Sequence, residues 1–254
     1  MAFTTIDNPE LYFQTKLYTG TGSSHAITLD GSENMQPDWV WIKRRNSAGG
    51  HMLTDVIRGV TKTIITNETG AEQTFSNGLT AFGSDGFTVG SEDGFNASSD
   101  TFVAWNWKAG TSFSNDASST GVGSLDSSGS KNTTAGFSII SFTGTESGTP
   151  SIAHGLSSTP EFIISKARDV SDNWMVFHGS FSAQEYISLN STGAKASASS
   201  VWNSLPSSTV INMGDNAGVN DDGAMIMYAF NSVKGFSKFG SYTGNGNADG
   251  TFVY

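Results

Sequence analysis

The chain carries most of itself twice, and that repetition limits its fold more than any other feature. Pro37-Asp38-Trp39-Val40-Trp41-Ile42-Lys43 returns 123 positions later as Pro160-Glu161-Phe162-Ile163-Ile164-Ser165-Lys166. At the same offset Asn67-Glu68-Thr69-Gly70-Ala71 returns as Asn190-Ser191-Thr192-Gly193-Ala194, and Phe102 to Trp107 returns as Met225 to Phe230. A fixed period is the mark of repeated architecture. A third start is visible in the series Leu17-Tyr18-Thr19-Gly20, Ser141-Phe142-Thr143-Gly144 and Ser241-Tyr242-Thr243-Gly244. Two modules and the opening of a third suit a binding or structural protein better than an enzyme, whose site is single and asymmetric.

Within a module the signals are those of strands. Trp39-Val40-Trp41-Ile42 and Phe162-Ile163-Ile164 are short apolar runs bounded by Pro and by charge, as in strands covered on both faces. No window sustains helical spacing. Short strands with turn residues at close intervals predict an all-β chain of two tandem antiparallel β-sandwich modules, jelly-roll or lectin-like. The boundaries read as an N-terminal arm over 1–15, module one over 16–110, a linker over 111–135, and module two over 136–254 with the partial third repeat. Ser, Gly and Asn dominate 111–134, too few apolar groups to offset ordering entropy by burial. A lone β segment at 235–254 leaves an open edge. It is therefore expected to close module two or to join a neighbouring subunit, with a homotrimer favoured.

Only 14% of residues are charged and the net charge is -10, which opposes nucleic acid or an anionic membrane as partner. With no cysteine there is no disulfide framework. Met1 to Asp7 lacks the basic and apolar regions of a signal peptide, and no run is long enough for a membrane helix. Catalysis finds little support. His25, His51, His154 and His178 are not spaced as metal ligands, and no Gly-x-Ser-x-Gly elbow occurs. A glycosidase would need two carboxylates across a cleft, and no strand motif supplies them. No catalytic residue and no metal ligand is assigned.

Binding residues are sought among aromatic and basic groups. Trp39, Trp41, Trp105 and Trp107 become Phe162, Ile164, Tyr228 and Phe230 in the second copy, keeping bulk without the indole, as core positions do. Trp174 and Trp202 stand near Met52 and Leu79 or Thr80 of module one, and are the candidates for a ligand surface peculiar to one copy. Lys43, Arg44 and Arg45, and then Lys166 and Arg168, follow the main strand of each module and would cradle an anionic sugar or phosphate; the plainer reading is solvated strand ends or pairing with a neighbouring acidic loop. No cofactor is assigned. Calcium is an alternative at the acidic stretches Asp215 to Gly223 and Ser91 to Gly94 with Asp100, although neither has the spacing of a calcium loop.

The strings Tyr12-Phe13-Gln14-Thr15, Pro37 to Lys43, Gly59-Val60-Thr61-Lys62, Asp85 to Gly90, Val103 to Gly110 and Gly240 to Gly246 resemble a repeat family of virion and tail-associated proteins from phages of marine bacteria. The resemblance covers nearly the whole chain outside the Ser-rich stretch and carries no catalytic residues. It implies a lectin-like or tail-fibre-like virion protein, made in the host cytoplasm and assembled with other virion proteins. Its loops would face a host surface carbohydrate or protein. The alternative is a capsid decoration or head-tail connector protein, and a glycan-degrading enzyme is a third reading.

Overall fold

Each repeated apolar run forms a strand. A computed structural model describes residues 4–253; Met1 to Phe3 of the expected arm and Tyr254 lie outside the described residues. Module one comprises β1 (Phe13–Thr19), β2 (His25–Thr28), β3 (Trp39–Arg44), β4 (His51–Asp55), β5 (Lys62–Ile65), β6 (Gln73–Thr74), β7 (Leu79–Gly83), β8 (Gly86–Val89), α1 (Asp93–Asn96) and β9 (Thr101–Trp107). Its strands build a six-stranded sheet, β1-β9-β3-β4-β5-β6, and a three-stranded sheet, β2-β8-β7.

The second half comprises β10 (Thr111–Asn115), α2 (Ala117–Thr120), β11 (Ser127–Asn132), β12 (Phe137–Thr143), β13 (Ser151–Ala153), β14 (Phe162–Ala167), β15 (Met175–His178), β16 (Glu185–Ser188), β17 (Ala196–Ser197), β18 (Val210–Asn212), α3 (Ala217–Asn220) and β19 (Ala224–Phe230). It builds an eight-stranded sheet, β10-β11-β12-β19-β14-β15-β16-β17, and the pair β13-β18. The chain is all-β, and its sheets are antiparallel.

Side-chain alternation explains why the main strands are apolar on both faces. Val40, Ile42, Phe102 and Ala104 pack against Ile27, Leu79, Phe87 and Val89 of the small sheet. Ile140, Phe142, Ile163 and Met227 do the same against Ile152 and Ile211. The opposite faces of the two large sheets meet each other, with Trp39, Leu53 and Ile64 against Ile139, Ile164, Trp174, Val176 and Tyr228. The layers run three-stranded, six-stranded, eight-stranded, two-stranded, and the modules share one central core.

The repeat also fixes the loops. Asn96 donates from Nδ2 to the carbonyl oxygens of Gly90 (2.7 Å) and Ser23 (2.5 Å), and its Oδ1 accepts from Thr21 N at 2.8 Å. Asn220 repeats this with Gly214 O (3.1 Å), Ser147 O (3.4 Å) and Thr145 N (2.9 Å). The Thr-Gly turn is thus held to a short helix by one buried amide in each copy. It needs glycine because a Cβ on Gly20 or Gly144 would stand 2.1 Å from the carbonyl oxygen of Ala97 or Asp221.

Three expectations need correction. The stretch expected to be a linker is ordered structure: β10 and β11 pair with each other, and β11 pairs with β12, extending the second large sheet. Backbone hydrogen bonds order it, and only one face needs apolar groups; Phe113 and Leu125 pack against the module-two core. The arm is shorter than 1–15, since β1 starts at Phe13 and Ile6 is buried. The third Thr-Gly copy does not close module two. Phe239 stacks on Phe162 at 5.5 Å, but 240–253 forms no strand and leaves Tyr242 and Phe252 exposed.

Candidate functional site

The candidate ligand tryptophans are not at the surface. Trp174 is 0% exposed in the central core, and its Nε1 donates to the Ile65 carbonyl at 3.3 Å, tying the modules together. Trp202 is 1% exposed in the module-two core, where Leu79 serves in module one. Neither indole has a face to offer a ligand. Burial of Trp174 follows from the second large sheet being covered on its outer face by module one, whereas Trp202 is buried within module two itself.

The basic candidates are mostly engaged at home. Lys43 Nζ donates to the Arg44 carbonyl at 2.9 Å, and Lys166 Nζ repeats this with Ala167 O at 2.9 Å and adds Val170 O at 3.1 Å. Burial lowers the Lys166 pKa to about 8, opposed by Asp172 and Asp221. Arg44 pairs with Asp100 at 3.2 Å and lies over the Phe102 ring, whereas Arg45 is exposed. Arg168 gives Nε and Nη2 to Glu72 at 3.1 and 2.9 Å. They form no common anion cradle. The acidic stretches expected as calcium loops flank α1 and α3, where Asn216 Oδ1 accepts from Gly218 N as a cap. Among the described residues no group of three or more His, Cys, Asp or Glu side chains assembles a metal site.

A charged network missed in the sequence reading leads from the central core to the surface. Asp55 Oδ2 accepts from Tyr228 Oη at 2.7 Å and from Arg58 Nε at 2.6 Å, with both Asp55 and Arg58 side chains fully buried. Burial alone would lower the Arg58 pKa, but Asp55, Tyr228 and Glu72 outweigh it and hold the guanidinium above its ordinary value. Arg58 Nη1 reaches Glu72 Oε2 at 3.3 Å, and Glu72 holds Arg168. In sequence nothing marks these residues, because Asp55, Arg58 and Glu72 have His178, Phe181 and Lys195 at the matching places.

Arg168 opens onto a cleft of about 760 Å3, lined also by Asn115, Asp116, Asp126, Ser128, Ser141 and Thr143. Registers set its floor. Ser114 lies opposite Ser128, Ser128 opposite Ser141, and Ser141 opposite Ile226. Ser112, Ser130, Ile139 and Tyr228 make the parallel row. These serines therefore share a face with the central-core residues, continued beyond module one, at spacings of about 4.8 Å across strands and roughly 6.7 Å along them. One wall is the α2 loop, where Asp116 Oδ1 accepts from Ser119 N at 3.0 Å and from Ser118 Oγ at 2.7 Å, and Asp126 Oδ1 accepts from Ala117 N at 2.9 Å. The Ser118 hydroxyl and then the Ser119 N–H lower the Asp116 pKa. The signal was available in Thr111-Ser112-Phe113-Ser114-Asn115, where serine alternates about an apolar residue with the period of a strand.

The chain belongs to the DUF7483 family. The family model, described as a domain of unknown function, matches residues 8–254. It runs across both modules and the Ser-rich strands, so the DUF7483 unit includes the shared core and the cleft. No curated protein and no solved structure matches the chain.

Proposed function

We propose that this chain is a glycan-recognition and structural module of a phage surface appendage, of the tail-fibre type, with the serine-lined cleft as its contact site. One observation carries this reading: the stretch without a counterpart in the repeat, 111–132, supplies much of the lining of a cleft of about 760 Å3. What the copies share is consumed in cores and loop clamps, so a function peculiar to the whole belongs to what is not shared. Hydroxyls in rows, flanked by carboxylates and an amide, present donors and acceptors suited to a polyhydroxylated ligand. Arg168 is already neutralised by Glu72, and Asp116 and Asp126 disfavour anions, so a neutral saccharide fits better than a phosphate or sugar acid. The motif resemblance supplies the virion setting and other virion proteins as partners; the homotrimer is proposed because the segment 235–254 is expected to join a neighbouring subunit.

The test is isothermal titration of the purified chain with host envelope polysaccharides. Saturable binding that falls at least tenfold in Ser128→Trp, whose side chain would fill the exposed floor, supports the proposal. Absence of binding, together with absence of the chain from particles by mass spectrometry, overturns it. A capsid decoration or connector role is the second reading, favoured by the open edge of β1 and by Leu17, 55% exposed on it. Antibody label at the tail tip or on the head or neck separates the two. A hydrolytic role would need a proton donor of raised pKa in the cleft, and Asp116 is shifted the other way.

A further inference from the structure

The central core is incomplete at one end. The row Phe13–Trp107–Trp39 of the six-stranded sheet and its repeat counterpart Phe137–Phe230–Phe162 meet there. Between them remains a cavity of about 350 Å3, walled by Trp39, Trp41, Trp107, Phe162, Phe230 and Phe239. Well-packed interiors hold few voids larger than a water molecule, and ligand pockets begin near ~300 Å3. The walls come from both copies, so the pocket exists only because the two modules face each other. This also accounts for Trp41 and Trp107, which repeat as Ile164 and Phe230 yet are only half-buried.

Two polar features distinguish this cavity from a packing defect. Trp39 is 2% exposed, and its Nε1 finds no acceptor among the described residues. A buried donor without an acceptor is unfavourable by roughly 1–3 kcal/mol. At the rim, the strap running from Val233 to Phe239 places Ser237 and Lys238 on the lining; Lys238 is exposed, and no described carboxylate lies within ion-pair distance of it. The strap is itself pinned, with Phe236 edge-on to Tyr12 at 6.1 Å and Val233 N bonded to Ser237 O at 3.0 Å.

We propose that this pocket binds an amphipathic anion: a hydrocarbon body among the rings, with an acidic head at Lys238. Aromatic walls supply the apolar contact, and the ammonium at the mouth selects a negative head over a neutral one. The same chemistry belongs to a free fatty acid and to an anionic lipid whose acyl chain has left its bilayer. The site is distinct from the serine-lined cleft and does not depend on that reading.

Tryptophan fluorescence of the full chain is titrated with sodium decanoate and with decanol, and sedimentation is followed with phosphatidylglycerol vesicles. The expected result is a saturable emission change with decanoate at least tenfold tighter than with decanol. The preference should vanish in Lys238→Glu, a surface change that leaves the fold intact, and binding of both compounds should weaken in Phe239→Ala. Co-sedimentation lost in Lys238→Glu identifies the lipid as source, and decanoate binding without co-sedimentation identifies the free acid; either supports the site. No saturable change with any probe, or decanoate binding indifferent to both variants, overturns it. Polysaccharide binding in Lys238→Glu is expected to be unchanged, which keeps this test separate from that of the cleft.

Discussion

Module one and module two share a frame and differ at its margins. Both hold their Thr-Gly turn to a short helix through a buried Asn, and both pack a large sheet on a small one. In module one the first strand, β1, is an edge. In module two its counterpart β12 is flanked by β11 and β10. Module one contributes Asp55 and Arg58 to the central core, where module two has His178 and Phe181. Duplication thus preserved what closes a module, while divergence fell on the surfaces through which modules meet each other or a partner.

The largest break in this comparison should come from Arg58. Arg58→Met leaves Asp55 charged and buried, and removing one partner of a buried pair is unfavourable by about 3–5 kcal/mol. Phe181→Met at the matching place exchanges similar apolar volumes and should change stability by less than ~1.5 kcal/mol. Urea unfolding of both variants checks the asymmetry; equal losses would mean that the ion pair is not what divides the modules.

His154 gives the next effect. It is buried, with Nδ1 accepting from Leu156 N at 3.1 Å, and burial lowers its pKa to about 4. The unfolded value is near ~6.5. Between these values the unfolded chain binds a proton that the folded chain does not, so stability falls as the pH drops from about 6.5 to about 4 and then levels off. The full loss is on the order of 3 kcal/mol. Thermal melts across that range should show it, and His154→Gln should flatten the curve. Module one has no histidine at the matching place, but His51 on β4, whose pKa is lowered by burial and by Lys43, adds a change of the same sign.

The smallest effect sharpens the likeness. Gly20→Ala and Gly144→Ala each drive a methyl group to 2.1 Å from a backbone oxygen. Each should destabilise by about 1–3 kcal/mol, and by similar amounts. Unequal values in urea unfolding would show that the two clamps are not equivalent.

The strands were legible because burial on both faces writes an unbroken apolar run, as at Trp39 to Ile42 and Phe162 to Ile164. The Ser-rich strands were not. β10 and β11 are held by the ladder to β12, and backbone hydrogen bonds leave no trace in composition. The cleft was not legible: Arg168 was expected in an anion cradle with Lys166, and Ser114, Ser128, Asp116 and Asp126 lie in the stretch expected to be a linker.

By itself the sequence determined the duplication, the β class and the main apolar strands of each module, since periodicity and apolar content are local properties of the chain. Tertiary structure alone decided that the two large sheets face each other. That contact buried Trp174, drew Arg58 into an interior ion pair, and left an aromatic pocket and a serine-lined cleft at its margins. The physical reason is that each face is apolar on its own, and only the geometry of packing says which surface excludes water against which.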